Sequence, residues 1–168
     1  NWVVPMGPNV NVFEQNLADF ANACSDGSKL DRKVVCLSAG TAAVHLALIA
    51  CGVQSGDEVC VQSFTFCASS HPITYLGAKP VFIDSERETW NMDPEILEKA
   101  ILDRKEKTGK YPKAIIPVAL YGMPYDCEKI MAVANKYNIP VIEDTAEGMG
   151  SRFDGQVLGT FGRFGVLS

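Results

Sequence analysis

Ile139-Pro140-Val141-Ile142-Glu143-Asp144 is a short apolar run that ends in two carboxylates. The run does not alternate apolar with polar residues, and this is typical of parallel strands that helices cover on both faces. Similar runs occur at 34–37, 58–61, 81–83 and 114–118. Helical patterns separate them at 41–51, 70–76, 93–107 and 127–137. Alternating strands and helices with right-handed connections predict an α/β fold, a three-layer α/β/α doubly wound and mostly parallel sheet.

The two ends of the chain differ from this repeating pattern. Residues 1–32 are predicted to form an N-terminal segment with little periodicity up to Val12, followed by a helix that packs beside the sheet and is marked by Phe13, Leu17, Phe20 and Ala21. Residues 33–168 are predicted to form the main domain. From Gly148 onward, glycines alternate with apolar and aromatic residues, which predicts short antiparallel strands or turns.

Bulk composition excludes several classes of protein. A chain of 168 residues with 47% hydrophobic residues is long enough for one well-buried domain. The net charge of −5 argues against nucleic-acid binding, and no apolar run reaches the ~20 residues of a membrane span. No secretion signal is visible at Asn1. The six cysteines form no C-x-x-C pair, so we expect no metal site and predict buried thiols, including Cys36 and Cys60, in a reducing cytoplasm.

Residues 38–42, Ser-Ala-Gly-Thr-Ala, follow one predicted strand and open a helix. Gly40 allows a ligand to approach the backbone closely, while Thr41 and Ala42 place free N–H groups at a helix N-terminus, where a phosphate binds favourably. The alternative is ordinary helix capping by Ser38 or Thr41, which is the favoured interpretation of this stretch alone. The stretch is neither a Walker loop nor G-x-G-x-x-G, and the absence of that glycine pattern disfavours an NAD-binding protein.

Two further positions at predicted strand ends suggest ligand contacts. Asp144 follows a buried strand and is placed to pair with a ligand cation such as a pyridinium nitrogen, although a helix cap or a surface-loop acid is an equal alternative. Phe64 and Phe66 follow another strand, where an aromatic face can meet a flat ligand. Core packing is the favoured role of Phe64, and Phe66 stays open. His45 and His71 are predicted to be structural.

In its motifs and their order, the chain resembles the DegT/DnrJ/EryC1/StrS group of pyridoxal-phosphate-dependent aminotransferases, which act mainly on nucleotide-linked keto sugars. The match runs from about Val34 to Ser168. The matching stretches are Ser38-Ala39-Gly40-Thr41-Ala42-Ala43-Val44-His45-Leu46, Gly56-Asp57-Glu58-Val59, Ser63-Phe64-Thr65-Phe66, Leu76-Gly77-Ala78-Lys79-Pro80-Val81-Phe82, Ala114-Ile115-Ile116-Pro117-Val118, Leu120-Tyr121-Gly122 and Pro140-Val141-Ile142-Glu143-Asp144.

The resemblance implies a fold type I large domain that is incomplete here and lacks its C-terminal small domain. It implies that Thr41, Ala42 and Ser168 bind the phosphate of pyridoxal 5'-phosphate (PLP). Phe66 would stack on the pyridine ring, and Asp144 would pair with the ring nitrogen. One position departs from the pattern: the family usually has Gln or His where this chain has Glu147, near the phenolic oxygen, and a carboxylate repels a phenolate unless it is protonated or turned away.

The resemblance also implies a reaction. The enzyme would take an amino group from an amino acid, often glutamate or glutamine, and pass it to a nucleotide-linked keto sugar in cell-surface polysaccharide biosynthesis, as a homodimer. The Schiff-base lysine would follow Ser168, so we expect residues 1–168 alone to lack transaminase activity. The alternatives are a sugar dehydratase with histidine in place of that lysine and a non-catalytic binding or regulatory protein with the same fold.

Overall fold

Parallel strands form the centre of the structure, a computed structural model that describes residues 7–168. The strands are β1 Glu58–Gln62, β2 Lys79–Ile83, β3 Ala114–Ile116, β4 Ile142–Asp144, β5 Arg152–Phe153, β6 Gln156–Val157 and β7 Phe164–Val166. The α-helices are α1 Pro8–Asn22, α2 Gly40–Ala50, α3 His71–Tyr75, α4 Pro94–Thr108 and α5 Cys127–Lys136. Two 3₁₀ turns lie at Cys67–Ser69 and Leu120–Gly122.

The sheet has the order β2-β1-β3-β4-β7, with all of these strands parallel. β1 pairs with β2 on one side and with β3 on the other, and β4 pairs with β7. Two parallel bridges, Ile115–Val141 and Val118–Asp144, join β3 to β4. β5 and β6 form a separate antiparallel hairpin. The predicted mostly parallel sheet is therefore confirmed.

Helices cover both faces of this sheet. Because side chains alternate between the faces of a strand, Cys60 and Ile115 lie in one core cluster while Val59, Val61 and Ile116 lie in the other. The first cluster is closed by residues of α4 and α5, which are Leu97, Ile101, Ile130 and Ala134. The second is closed by residues of α2 and α3, which are Val44, Leu48 and Ile73. This confirms the predicted three-layer α/β/α arrangement.

The predicted strand at 34–37 is absent from the structure, and that prediction was wrong. Val35 is 71% exposed and Leu37 is 45% exposed, so the run has no buried face. The Cys36 N–H donates to the Glu14 carboxylate at 2.7 Å instead of to a neighbouring strand, and Cys36 itself is only half-buried. An apolar run becomes a strand only when a sheet edge pairs with it, and here the segment lies beside α1.

The N-terminal helix is confirmed as α1, with Leu17 and Ala21 buried. Its hydrogen bonds go to the segment 32–36, through Asn22 to Arg32 and through Glu14, rather than to the sheet beside which we predicted it to pack. The first six residues of the predicted segment 1–32 lie outside the described part of the chain. No helix within residues 7–168 is long and apolar enough to cross a bilayer.

The glycine-rich end contains one predicted feature and one that was not predicted. The antiparallel hairpin β5–β6 is confirmed. β7, however, pairs in parallel with β4, so the prediction of antiparallel strands or turns was wrong for Phe164–Val166. The pairing needs the chain to return to the sheet, and Gly165 lies directly against the backbone of Gly159, where no side chain would fit.

All six cysteines are free thiols. Cys51, Cys60 and Cys127 are buried, as the sequence predicted for Cys60, whereas Cys67 is exposed. Burial raises the pKa of Cys60 and of Cys127 to about 12. Within residues 7–168, no group of three or more His, Cys, Asp or Glu side chains could hold a metal ion.

Candidate functional site

Several polar groups meet at the edge of the sheet where β1, β3, β4 and β7 end. In open α/β sheets this carboxyl edge is where ligands bind. Two contacts bring other segments to the strand ends: Gly40 of α2 lies against Ser168, and Ser69 of the turn Cys67–Ser69 bonds to Asp144. The sequence predicted Gly40, Asp144 and Ser168 as site residues, and the structure brings each of them to this edge.

The N-terminus of α2 is open. Its N-cap residue is Ala39, in an extended conformation, and no side chain among the described residues caps the helix. The interpretation that Ser38 or Thr41 simply caps this helix is therefore wrong. The first N–H groups of a helix, here those of Gly40, Thr41 and Ala42, have no acceptor inside the helix, and they carry the positive end of the helix dipole. Such an end is suited to an anion.

Gly40 and Ser168 fit together only because Gly40 has no side chain. A Cβ atom at Gly40 would lie 2.8 Å from the Ser168 Cβ atom and 2.9 Å from its Oγ atom. The glycine therefore lets a second chain segment bring a hydroxyl beside the helix N-terminus. Backbone N–H donors and a hydroxyl donor then face the same small space, which is the donor set that a phosphate group needs.

Asp144 is a buried carboxylate, only 6% exposed. Its Oδ2 atom accepts a hydrogen bond from the Ser69 hydroxyl at 2.6 Å, and its Oδ1 atom accepts one from the Ala146 N–H at 3.3 Å. Burial raises the pKa of Asp144, the Ser69 and Ala146 bonds lower it, and the charge of Glu147 raises it. Asp144 is buried at the end of β4 and caps none of the described helices, so the helix-cap and surface-loop alternatives are wrong.

Aromatic rings are exposed beside this carboxylate. Phe66 is 75% exposed, and the Thr65 hydroxyl next to it lies 2.9 Å from the Ser69 hydroxyl. Phe64 is 45% exposed, so the core role that we favoured for it was wrong. Apolar rings of this size are normally buried. Their exposure at the carboxyl edge leaves aromatic faces open to a flat ligand.

Glu147 takes part in a tight turn at the same edge. Its Oε2 atom accepts a hydrogen bond from the Tyr121 N–H at 2.5 Å. Tyr121 has a positive φ of 53° and an 81% exposed side chain, so this bond stabilises a backbone conformation that is unusual for a tyrosine. One oxygen of Glu147 is thus occupied by the protein's own backbone.

Sequence reasoning missed a buried amide network under the site. Gln62 Oε1 accepts from the N–H groups of Met92 and Val118 at 2.8 and 3.3 Å, and Gln62 Nε2 donates to the Phe64 carbonyl at 2.9 Å. Asn91 Oδ1 accepts from the Leu120 N–H at 3.1 Å. The network fixes the ends of β1 and β3 relative to each other. The available signal was Gln62, a polar residue that directly follows the apolar run Val59-Cys60-Val61.

Glu143 lies next to Asp144 in β4 but points to the other side of the sheet. It is fully buried, and its carboxylate accepts hydrogen bonds from the Tyr125 hydroxyl and from the N–H groups of Gly159 and Gly162 at 2.9, 3.0 and 2.6 Å. Burial raises its pKa, and these hydrogen bonds oppose the rise. Glu143 therefore organises the loop before β7 rather than the ligand edge.

The two histidines behave as the sequence predicted. His45 lies within α2, where its ring meets Tyr75 edge-on at 5.6 Å between ring centroids. His71 begins α3. Neither forms a nucleophile-base pair with a described residue in the hydrogen bonds of the site. The chemistry of the edge therefore rests on its donors, its carboxylates and its aromatic faces.

These groups fit PLP. The uncapped N-terminus of α2 and the Ser168 hydroxyl lie side by side, and a Cβ atom at Gly40 would collide with the Ser168 side chain. Asp144 is buried, hydrogen-bonded and available to a cationic ring nitrogen, and Phe66 offers an exposed aromatic face. A phosphorylated pyridine has the corresponding three features: an anionic group, a ring nitrogen that can carry a proton, and a flat face.

Comparison with known proteins agrees with this fit. The profile of the DegT/DnrJ/EryC1/StrS aminotransferase family matches residues 1–168. GDP-perosamine synthase from Escherichia coli O157:H7 is 38% identical over 167 residues, which cover 99% of this chain and 42% of that protein.

Solved structures show the same fold. The crystal structure of a DegT DnrJ EryC1 StrS aminotransferase from Brucella abortus has a TM-score of 0.87 and 34% identity, covering 95% of this chain and 41% of that one. NtdA from Bacillus subtilis, with bound cofactor PMP, has a TM-score of 0.81 and 32% identity, covering 97% of this chain and 33% of that one. The chain thus spans about two fifths of the length of the curated relatives it matches, 41% and 42% for two of them.

Proposed function

Because this chain belongs to the DegT/DnrJ/EryC1/StrS aminotransferase family, we propose that the protein containing it transfers an amino group from an amino acid to a nucleotide-linked keto sugar with PLP as cofactor. The observation that carries the proposal is the open N-terminus of α2 against Ser168, at the same sheet edge as the buried Asp144. The similarity to a GDP-perosamine synthase supports the sugar substrate. The similarity to a PMP-bound structure supports the cofactor.

Each site residue has a definite part in this proposal. The N–H groups of Thr41 and Ala42 and the hydroxyl of Ser168 bind the phosphate, in the space that Gly40 leaves open. Phe66 covers one face of the ring. Asp144 keeps the ring nitrogen protonated by pairing with it. PLP, when bound, supplies an electron sink for the bonds that change at the amino carbon.

Glu147 differs from the other site residues, because its carboxylate and a phenolate oxygen of the cofactor would repel each other. The bond that its Oε2 atom accepts from the Tyr121 N–H holds the carboxylate to the 120–122 turn. We propose that this contact keeps Glu147 from facing the phenolic oxygen directly, so that the residue positions the turn. Its negative charge still raises the pKa of Asp144.

The remaining parts of the reaction are proposed for the rest of the protein. We expect the lysine that carries the cofactor and moves the proton to follow Ser168, so a protein confined to residues 1–168 should lack turnover. We also propose a homodimer with the small domain and a second subunit contributing the sugar contacts. Turnover by purified residues 1–168 would contradict the placement of the lysine.

The test compares two aspartates of the same sheet edge in the intact protein. Asp144→Asn removes the charge opposite the ring nitrogen, whereas Asp84→Asn changes an exposed aspartate whose side chain bonds, within residues 7–168, only the neighbouring Ser85 N–H. With PLP, an amino donor and a nucleotide-linked keto sugar, we expect D144N to lose at least roughly 100-fold in kcat, the scale of a lost preorganised charge. D84N should retain wild-type turnover, and equal turnover by D144N would refute the assigned role.

A further inference from the structure

A chain of hydroxyls leads from the exposed aromatic segment to Asp144. Ser69 lies in the short turn Cys67–Ser69 and is 1% exposed. Its Oγ atom is 2.6 Å from Asp144 Oδ2 and 2.9 Å from Thr65 Oγ1. No other side chain of the described residues bonds the Asp144 carboxylate, whose second oxygen meets only a backbone N–H. Within the described part of the chain, Ser69 is therefore the one side chain that fixes this carboxylate.

The direction of these hydrogen bonds follows from the number of protons. An ionised carboxylate only accepts, and a serine hydroxyl has a single proton to donate. Ser69 donates its hydroxyl proton in the hydrogen bond to Asp144, so its oxygen accepts the hydrogen bond that the Thr65 hydroxyl donates. The oxygen–oxygen distance of 2.6 Å is the length of a charge-assisted bond. These hydrogen bonds form a relay in which Thr65 donates to Ser69 and Ser69 donates to Asp144.

The relay opposes the two factors that disfavour charge at Asp144. Burial raises the pKa of this carboxyl, and the nearby Glu147 raises it as well. The Ser69 hydrogen bond is the largest of the effects that lower it. Thr65 stands next to Phe66 in the chain, so the same relay ties the segment that carries the exposed ring to the carboxylate below it.

We propose that Ser69 is a positioning residue, supported by Thr65, which aims the Asp144 carboxylate at the ring nitrogen of PLP and couples it to the Phe66 segment. This inference rests on the proposed function, because it assumes that PLP binds at this edge. Ser69 acts only through Asp144. The carboxylate that would pair with the ring nitrogen and the segment that carries the aromatic ring are then held together by the same two hydroxyls.

The test uses neighbouring serines of the intact protein, freed of cofactor and titrated with PLP while the absorbance of the bound cofactor is followed. Ser69→Ala should weaken PLP binding about tenfold, as expected for one hydrogen bond to a charged group. Ser70→Ala is the matched control and should leave the affinity unchanged, because among the described residues the Ser70 hydroxyl bonds only the Cys67 carbonyl. Thr65→Val should weaken binding less than S69A, and Thr65→Ser should restore it.

The pH dependence separates positioning from a merely structural role. PLP affinity should fall as the pH drops through the pKa of Asp144, which burial raises above its ordinary value of 3.8. In S69A the bond that lowers this pKa is missing, so the fall should begin at higher pH, with no such shift in S70A. Thermal unfolding of each variant shows whether it is folded. If S69A is not folded, the Thr65 variants test the proposal instead: T65V should bind PLP more weakly than the wild type, and T65S should bind it equally well.

The outcomes distinguish the two levels of the argument. If the wild-type protein does not bind PLP, the proposed function fails and this inference fails with it. If the wild type binds PLP but folded S69A matches it in affinity and pH profile, the proposed function stands and the positioning role is refuted. A tenfold loss in S69A that S70A does not share, a smaller loss in T65V and the shifted pH profile would establish the relay.

Discussion

The buried Glu143 carboxylate accepts two backbone hydrogen bonds from the loop before β7, and replacing Glu143 should therefore loosen this loop locally. The Glu143 carboxylate accepts hydrogen bonds from the Gly159 N–H at 3.0 Å, the Gly162 N–H at 2.6 Å and the Tyr125 hydroxyl at 2.9 Å. Glu143→Ala removes the acceptor for all three donors in a site that water does not reach. Donors left unpaired in such a place carry their full desolvation cost.

The size of the effect follows from the hydrogen bonds that are lost. A bond to a charged group contributes roughly 1.5–3 kcal/mol, and each 1.4 kcal/mol corresponds to a factor of about ten. If each amide exchanges when its own bond opens, E143A should speed hydrogen exchange at Gly159 and Gly162 by roughly 10- to 100-fold. Peptide-resolved mass spectrometry of the intact protein measures this exchange without requiring two-state unfolding.

Glu143→Gln gives a graded version of the same experiment. The carboxamide oxygen can accept from one side of the site, but its NH₂ group then faces donors on the other side. The Tyr125 hydroxyl can rotate to accept from that NH₂ group, whereas a glycine N–H cannot. We therefore expect E143Q to speed exchange at one of the two glycines, and E143A to speed it at both.

The control is Glu98→Ala, which removes another hydrogen-bonded carboxylate at a solvent-accessible position. Glu98 bonds Lys136 and Tyr137 on the surface of α4 and α5, away from the loop. E98A should leave exchange at 159–162 unchanged. If E143A also leaves it unchanged, the loop is held by other contacts, and the assignment of Glu143 as its organising residue is wrong.

Two further predictions concern the ligand edge itself. Gly40→Ala places a Cβ atom 2.8 Å from the nearest atom of Ser168, so it should weaken PLP binding about tenfold or more in an absorbance titration. Gly7→Ala is the control and should not weaken it, because no atom of the described residues other than its chain neighbours lies within 4 Å of the added Cβ atom. Gln62→Leu leaves the N–H groups of Met92 and Val118 unpaired and should lower the free energy of unfolding by about 2–4 kcal/mol, seen as a lower thermal midpoint. Gln54→Leu, at an exposed position, is the control and should have little effect. Equal midpoints in the two variants would contradict the role of the Gln62 network.

Much of the fold could be predicted because its signals are local. The apolar runs of β1, β3 and β4 read as covered parallel strands without knowledge of their neighbours. α4 begins where Asp93 and Pro94 predict it, and the Asp93 side chain accepts from the Glu95 N–H at 2.7 Å. Such features need only a few adjacent residues, and all of them were predicted correctly.

The errors occur where the outcome depends on a distant partner. The run at 34–37 has the composition of a strand but pairs with no strand among the described residues, and β7 pairs in parallel with β4 only because Glu143 and the close approach of Gly165 to Gly159 return the chain to the sheet. Nothing in the sequence around Ser69 indicated that this residue would contact the site. Its role depends on Asp144, 75 positions further along the chain, and a serine in a short turn has many ordinary uses.

The role of each candidate site residue could not be decided from the sequence when that residue was considered alone. Ser38 or Thr41 could have capped α2, and the open cap at Ala39 removes that alternative. Asp144 could have been a surface acid, and its burial against Ser69 removes that one. In each case the residue type was known from the sequence but its partner was not, because hydrogen-bond partners at a sheet edge come from different strands. An open anion site, an exposed ring and a buried, fixed carboxylate are individually common. Their meeting at one edge is what a phosphorylated pyridine requires, and the S69A and G40A experiments test that meeting from opposite ends of the ring.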